Sequence, residues 1–450
     1  MDQSKKIYSV EQLKAGQSQL LYKNKTKKII AGGTQLLSKR PEMFAPDIWP
    51  AYYDKAKGYT ITDLDGNQFI DMSIMNVGSV ILGYADDDVD DHVISAIKKG
   101  VSSTLNCVEE VKLAEKLIEL HPWAEMVRYA RSGGEAMSIA VRIARAYTKR
   151  DIVFFSGYHG WNDWYLAANI SNQNGLDGQL MPGLEPNGVP KGLMGTAIPF
   201  HMNNIDQLKD TIKGKENTIA AFIIEPARGE DASVDYLNSL KQLAHEIGAV
   251  LIFDEITSGF RDCCGGVHLK YNVAPDLAIF AKAMANGYAM SAIIGTENVM
   301  QAAQTTFISS TNWTDRVGPT AALATINKFQ KNQVQIHNMD LGKKIKKIWS
   351  ENAKKYSIDV KISGLDSLPS FSFTNENSNL LNTAFTIGML ERGYLGFRQF
   401  RPSFAHNHAL LDEFANVVDD VFNTLDLMIK QNIPFPEKPH HKGFYRLTKE

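Results

Sequence analysis

Between residues 100 and 300, short unbroken apolar runs alternate with segments whose apolar positions recur at helical spacing. The runs are "DIVFFS" from Asp151, "TIAAFII" from Thr218, "AVLIF" from Ala249, "LAIF" from Leu277 and "SAIIG" from Ser291. Runs of this length without polar alternation suit strands buried on both faces. Strands of that kind separated by amphipathic helices predict an α/β fold, a mostly parallel sheet with helices on both faces. Ahead of this region, "YTITDLDGNQFIDM" sets a DG turn between two β-rich runs and predicts a hairpin. Behind it, "DRVGPTAALATINKFQ" opens a long helix, and the remaining chain mixes helices with short strands. The expected organisation is an N-terminal segment with the hairpin over 1–80, a large domain over 81–330 and a small domain over 331–450, the first and last sharing one unit.

The chain has 450 residues, more than one hydrophobic core normally serves. Hydrophobic residues make up 44% and charged residues 22%, and the formal net charge of -2 gives no electrostatic reason to expect a nucleic-acid or membrane partner. No apolar run is long enough to span a bilayer and the N-terminus lacks a signal core, so a cytoplasmic enzyme of small molecules is expected. Cys107, Cys263 and Cys264 show neither metal-ligand spacing nor a disulfide framework. The acidic run Ala85–Val93 reads as the start of a helix, where carboxylates meet the dipole favourably, and Lys23–Lys28 as a solvated basic face.

A lone lysine, Lys282, interrupts the apolar and small-residue stretch "LAIFAKAMANGYAMSAIIGT". An interior lysine gives up either its solvation or its proton, so its presence calls for a use. "RYARSGGEAMSIAVRIARAY" has a strand-like opening, then Ser132-Gly133-Gly134, then a helix with Ala136, Ile139, Ala140, Ile143 and Tyr147 on its apolar stripe. Free N–H groups at a glycine-lined helix start cradle a phosphate, although a strand-to-helix turn favours the same residues. In "FFSGYHGWNDW" the ring of Tyr158 follows a strand end, where it can stack on a planar ligand or simply fill the core. "AVLIFDEITSGFR" puts Asp254 and Glu255 after a buried strand, a costly place for a carboxylate unless it meets a cation or a protonated nitrogen. Together these are the parts that pyridoxal phosphate (PLP) requires: an imine-forming lysine, a pyridinium partner, ring support and a phosphate anchor.

The segments "GYTITDLDGNQFIDM", "RSGGEAMSIAVRIARAYTKRD", "GYHGWND", "IIEPARGE", "DEITSGFR", "PDLAIFAKAMANGYAMSAIIG" and "QFRPSFAH" stand in an order and spacing that resemble the class III PLP-dependent aminotransferases over nearly the whole chain. Within that family the glutamate-1-semialdehyde 2,1-aminomutase-like branch is the nearest in pattern. The resemblance implies fold type I, and it implies that Lys282 carries the cofactor as a Schiff base and moves the substrate proton. It further implies that Asp254 keeps the pyridinium protonated, that Tyr158 stacks on the ring, that His159 and Glu225 join the cofactor set, and that Ser132, Gly133 and Gly134 bind phosphate. Gly134 stands where the family usually has threonine, so one side-chain contact is missing. The active site of such enzymes is shared in a homodimer, with a threonine reaching the phosphate from the partner; Thr314 fits that part better than Thr311.

Departures from the aminomutase pattern concern the substrate. After Gly32-Gly33 the expected arginine is replaced by Lys39, followed by Arg40, and "MNVGSVILG" around Asn76 and Val77 lacks the mutase tryptophan. Glu230 and Arg401 instead resemble the pair of class III aminotransferases in which the arginine binds the donor's α-carboxylate and is neutralised when an uncharged acceptor enters. Lys39, Arg40, Arg398 and Arg401 form the expected cationic substrate set. The reading is therefore amino transfer from an amino acid, with glutamate favoured, to a small carbonyl or sugar-derived acceptor. The "HHKGFYRLT" ending is similar to that of aminotransferases of cell-surface glycan assembly, which adds that pathway class as an expectation. The alternatives are an aminomutase and a non-catalytic relative; no G-x-G-x-x-G or P-loop supports a dinucleotide enzyme or an NTPase.

Overall fold

The computed structural model describes residues 6–171, 175–179, 182–228, 232–431 and 433–444. The chain divides into two compact units, one formed by Asp87–Gln335 and the other by Met1–Asp86 together with Ile336–Glu450.

The central unit is built on a seven-stranded sheet. Its strands are β1 (Met126–Ala130), β2 (Ile152–Ser156), β3 (Ala197–Pro199), β4 (Ile219–Ile224), β5 (Val250–Asp254), β6 (Leu277–Phe280) and β7 (Ser291–Gly295), and they lie in the order β1-β7-β6-β5-β4-β2-β3. The pairs from β3 through β6 are parallel, whereas β7 runs antiparallel to both β6 and β1. Every residue of β4, β5, β6 and β7 is buried, which is why these strands are written as unbroken apolar runs. This is the α/β architecture, a mostly parallel sheet, that the apolar runs imply.

Helix Gly133–Thr148 packs its buried Ala136, Ile139, Ala140 and Ile143 into the core against β4, β6 and β7. Tyr147, assigned to the same stripe from spacing, is instead exposed. It stands in the last turn of the helix, which ends at Thr148. The acidic run starts helix Asp87–Lys98, with Asp87, Asp88 and Asp90 in its first turn.

In the other unit, Thr60–Asp63 and Gln68–Met72 pair antiparallel as the hairpin the DG turn implies. Tyr394–Gly396 joins the same sheet parallel to Gln68–Met72. Helices Val334–Lys355, Ser378–Glu391 and His408–Lys430 contribute to a core that includes Trp349, Phe371, Phe385 and Phe422. No helix among the described residues is long and apolar enough to cross a membrane.

Candidate active site

Parallel neighbours put their C-terminal ends along one edge of a sheet, and the register here aligns Ser156 of β2 with Ile224 of β4, Ile224 with Phe253 of β5, and Asp254 with Ile279 of β6. Tyr158 and His159 follow β2, Glu225 follows β4, Asp254 ends β5 and Lys282 follows β6. The structure thus gathers, from four adjacent strands, five residues that the sequence singles out.

Asp254 is 2% exposed. Its Oδ1 accepts from the backbone N–H of Ile256 at 3.0 Å, and its Oδ2 faces His159 Nδ1 at 2.8 Å. The other ring nitrogen of His159 faces the carbonyl of Ser156 at 3.2 Å, so both nitrogens of this buried imidazole point at oxygen acceptors. An imidazole in that position is held against the carboxylate and fixes its orientation. Beneath Asp254, the buried Glu255 accepts from the backbone N–H of His268 at 3.0 Å and lies 2.8 Å from His268 Nδ1, and Trp123 Nε1 donates to His268 Nε2 at 2.9 Å. Because the indole is a pure donor, Nε2 of His268 is the acceptor and Nδ1 carries the proton to Glu255. Burial raises the Glu255 pKa, but the contributions of His268 and the Ser258 hydroxyl together hold the carboxyl below its ordinary value.

Lys282 is placed by an unfavourable backbone. Its φ of 46° lies in the left-handed region, rare for a residue with a side chain, and strain of this kind concentrates at functional sites. Nζ donates to Thr257 Oγ1 at 2.8 Å. Burial is the main cause that brings its pKa down from 10.5 to about 7, with the charge of Arg228 acting in the same direction. A lysine in this state is divided between ammonium and free amine near neutral pH, which a nucleophile and proton carrier needs. Burial likewise raises the pKa of Tyr158, opposed by the Arg228 charge.

Ser132 caps helix Gly133–Thr148, accepting from Glu135 N while the Glu135 carboxylate accepts from Ser132 N at 2.8 Å and from Arg131 N at 3.1 Å. The capping box leaves the N–H groups of Gly133 and Gly134 at the open helix end. A Cβ on Gly133 would lie 2.8 Å from Ile256 Cδ1; one on Gly134 would lie 2.9 Å from Asn162 Oδ1 and 3.3 Å from Trp161 Nε1. That crowding is a physical reason for glycine where the resembled family has threonine. The Asn162 Oδ1 atom is buried without a hydrogen-bond partner among the described residues. Oxygen and nitrogen of a side-chain amide exchange by a flip, so an anion at this glycine cradle gives the orphaned end a partner. These residues fit a phosphate.

Thr257, Asn162 and Arg228 belong to this neighbourhood but were not singled out from the sequence. Arg228 stands beside Glu225 in "EPARGE", and a charged residue within that motif was the one signal that could have found it. Arg228 Nη1 donates to Glu225 Oε1 at 2.5 Å, and Glu225 Oε2 accepts from Tyr158 N at 3.0 Å.

A class-III aminotransferase sequence model matches residues 44–422. The chain belongs to the class-III aminotransferases. It is a PLP-dependent transaminase, and PLP is its cofactor. Among relatives, it is 33% identical over 382 residues to the 3-aminobutyryl-CoA aminotransferase of Cloacimonas acidaminovorans, covering 82% of this chain and 86% of that protein. It is 31% identical over 404 residues to the glutamate-1-semialdehyde 2,1-aminomutase of Persephonella marina, covering 84% and 92%. An omega-transaminase from Sphaerobacter thermophilus has the same fold, with a TM-score of 0.81 at 24% identity over 92% of this chain and 99% of that one. The FumI protein of Sphingopyxis sp. MTA144 superposes with a TM-score of 0.84 at 21% identity over 94% and 99%.

The remaining expected site residues of this aminotransferase belong to other segments of the chain. Thr314 closes the short turn Thr311–Thr314 in an exposed position, its hydroxyl donating to Thr311 O at 2.8 Å. Lys39, Arg40, Arg398 and Arg401 are in the unit formed by the chain ends. There, burial lowers the pKa of Lys39 and of Arg398, Arg40 is buried, and the Arg401 backbone N–H donates to Ser73 O at 2.8 Å. Glu230 lies outside the described residues. In the "MNVGSV" segment, Met75, Asn76 and Val77 all have positive φ, of 38°, 52° and 57°, a left-handed turn that is costly for a β-branched residue.

Proposed function

We propose that this aminotransferase moves the amino group of an amino acid donor, glutamate in the first instance, to a small carbonyl or sugar-derived acceptor, and that it works as a cytoplasmic homodimer with Thr314 reaching the partner's cofactor phosphate. The observation that carries the reading is the buried Lys282, its pKa brought to about 7 and its neighbours Asp254 and His159 delivered by adjacent strand ends. When bound, PLP supplies an electron sink for the charge that develops at the substrate carbon.

The residues divide that task. Lys282 Nζ would hold the cofactor and, as a free amine, would take up and carry the proton from the substrate carbon. Asp254, oriented by His159, holds the proton of the ring nitrogen. Tyr158 supports the ring face, with Glu225 fixing its backbone. Ser132, Gly133 and Gly134 take the phosphate at the helix start, with Asn162 supplying a side-chain contact. Arg401 binds the donor's α-carboxylate and Glu230 neutralises it for an uncharged acceptor, with Lys39, Arg40 and Arg398 completing the cationic substrate set.

Similarity to 3-aminobutyryl-CoA aminotransferase supports transfer, and supports a β-amino acyl compound as a further substrate to be tried. Similarity to glutamate-1-semialdehyde 2,1-aminomutase supports the second reading, internal exchange on one substrate. A donor and acceptor screen of the holoenzyme decides between them. Transfer requires conversion of the cofactor to its amino form by a donor and recovery by a separate carbonyl compound; efficient isomerisation of glutamate-1-semialdehyde without added donor establishes the mutase instead.

A further inference from the structure

We infer that Arg228 binds a carboxylate of the substrate, so that the site selects amino acids and their carbonyl counterparts over simple amines and ketones. The inference rests on the transaminase reading and adds a second cation, beside the Arg401 already proposed, for the substrate's carboxylate, whose oxygens can accept from two guanidiniums.

Arg228 stands just past β4, three residues after Glu225. Glu225 is held at both oxygens: Oε1 accepts from Arg228 Nη1 at 2.5 Å and Oε2 from Tyr158 N at 3.0 Å. Both carboxylate oxygens are thus engaged, and one of them tethers the guanidinium at Nη1. Only Nη1 is used; among the described residues no acceptor meets Nε or Nη2. The Arg228 side chain is 28% exposed while that of Glu225 is 5% exposed, so the guanidinium retains access to solvent that its partner lacks.

Two further observations place this group at the reaction. Glu225 bridges Arg228 to the backbone N–H of the ring-supporting Tyr158, and the Arg228 charge also acts on Lys282 and Asp254. Arg261, the other arginine that acts on Lys282, is fully buried and its Nε donates to Thr257 O at 2.8 Å, so it offers no comparable access. A planar fork with remaining donors matches a carboxylate, which accepts two parallel N–H bonds. If neutralising Glu225 were the whole purpose, a point charge would serve equally well.

The test compares wild-type holoenzyme with Arg228→Lys, which keeps the charge and loses the fork, and with Arg228→Gln. Thermal melting of each holoenzyme guards against a folding defect, and Arg228→Lys keeps a cation beside the buried Glu225. Donors are used in pairs that differ by a carboxylate: L-alanine with ethylamine, and 3-aminobutyrate with propan-2-amine. Bleaching of the cofactor band gives each half-reaction, and calorimetric titration with butyrate, which carries no amino group, reads binding without turnover. Arg228→Gln should lower kcat/KM for the acids about ten- to a hundredfold, the range of one lost charge-assisted contact, while the amines change by less than about threefold. Butyrate affinity should fall in parallel, and Arg228→Lys should recover only part of the loss.

Equal losses for acids and amines, unchanged butyrate affinity in Arg228→Gln, or full recovery in Arg228→Lys overturns the assignment. If wild type converts no donor at all, the transaminase reading fails, and the butyrate titration still decides whether Arg228 binds a carboxylate.

Discussion

Lys282→Met should stabilise the cofactor-free protein, and the gain should depend on pH. The unfolded chain keeps the lysine proton up to about 10.5, whereas the folded protein releases it near 7. Between those values the unfolded state binds more protons, so the contribution of Lys282 to folding stability rises with pH; below about 7 its penalty is complete, and above 10.5 it is gone. The interval corresponds to about 5 kcal/mol, since a tenfold change in a proton-binding constant is worth about 1.4 kcal/mol. Methionine fills similar space without a charge, and its packing contribution does not vary with pH. The measurement is urea denaturation of both apoproteins at several pH values from about 6 to about 10, followed by intrinsic fluorescence. The variant should be the more stable by several kcal/mol at the acidic end, and its advantage should shrink by roughly 1.4 kcal/mol for each step of one in pH above about 7. An advantage that does not vary with pH, or a less stable variant across the whole range, would refute the view that Lys282 is held in a desolvated, proton-poor state.

Asp254→Ala should retain cofactor but lose nearly all turnover, because an unprotonated ring nitrogen is a poor electron sink; activity within a few-fold of wild type, read in a steady-state assay, would make Asp254 structural. Gly134→Ala should weaken cofactor retention in equilibrium dialysis by crowding Asn162, and unchanged affinity would remove that residue from the phosphate site. Arg401→Ala should slow the half-reaction with an α-amino acid about ten- to a hundredfold more than the return with an acceptor lacking that carboxylate; equal losses in single-turnover experiments would count against the gate.

The strands carrying the site were readable because burial on both faces forces an unbroken apolar run, and a charge placed at its end, as at Asp254 or Lys282, is conspicuous for its cost. Direction was not readable in the same way. "SAIIG" looks identical whether it runs with its neighbours or against them, and the structure inserts it antiparallel between β6 and β1. Edge strand β3 has three residues, too few for a period to register. Thr257, Asn162 and Arg228 occupy loops, where polar residues are ordinary and only proximity in space reveals a role. The left-handed turn at Met75–Val77 carries no glycine until Gly78, so its composition gave no warning of positive φ. Conversely, the glycine at position 134 was visible as a departure, but its cause, the side chains of Asn162 and Trp161, belongs to another loop.

The central claim is that Lys282 holds the cofactor. Purified protein should show a yellow absorbance band that borohydride bleaches, and after proteolysis mass spectrometry should find the reduced cofactor on the peptide containing Lys282, with none recovered from Lys282→Ala. A colourless protein after incubation with PLP, or the label on another lysine, would contradict it.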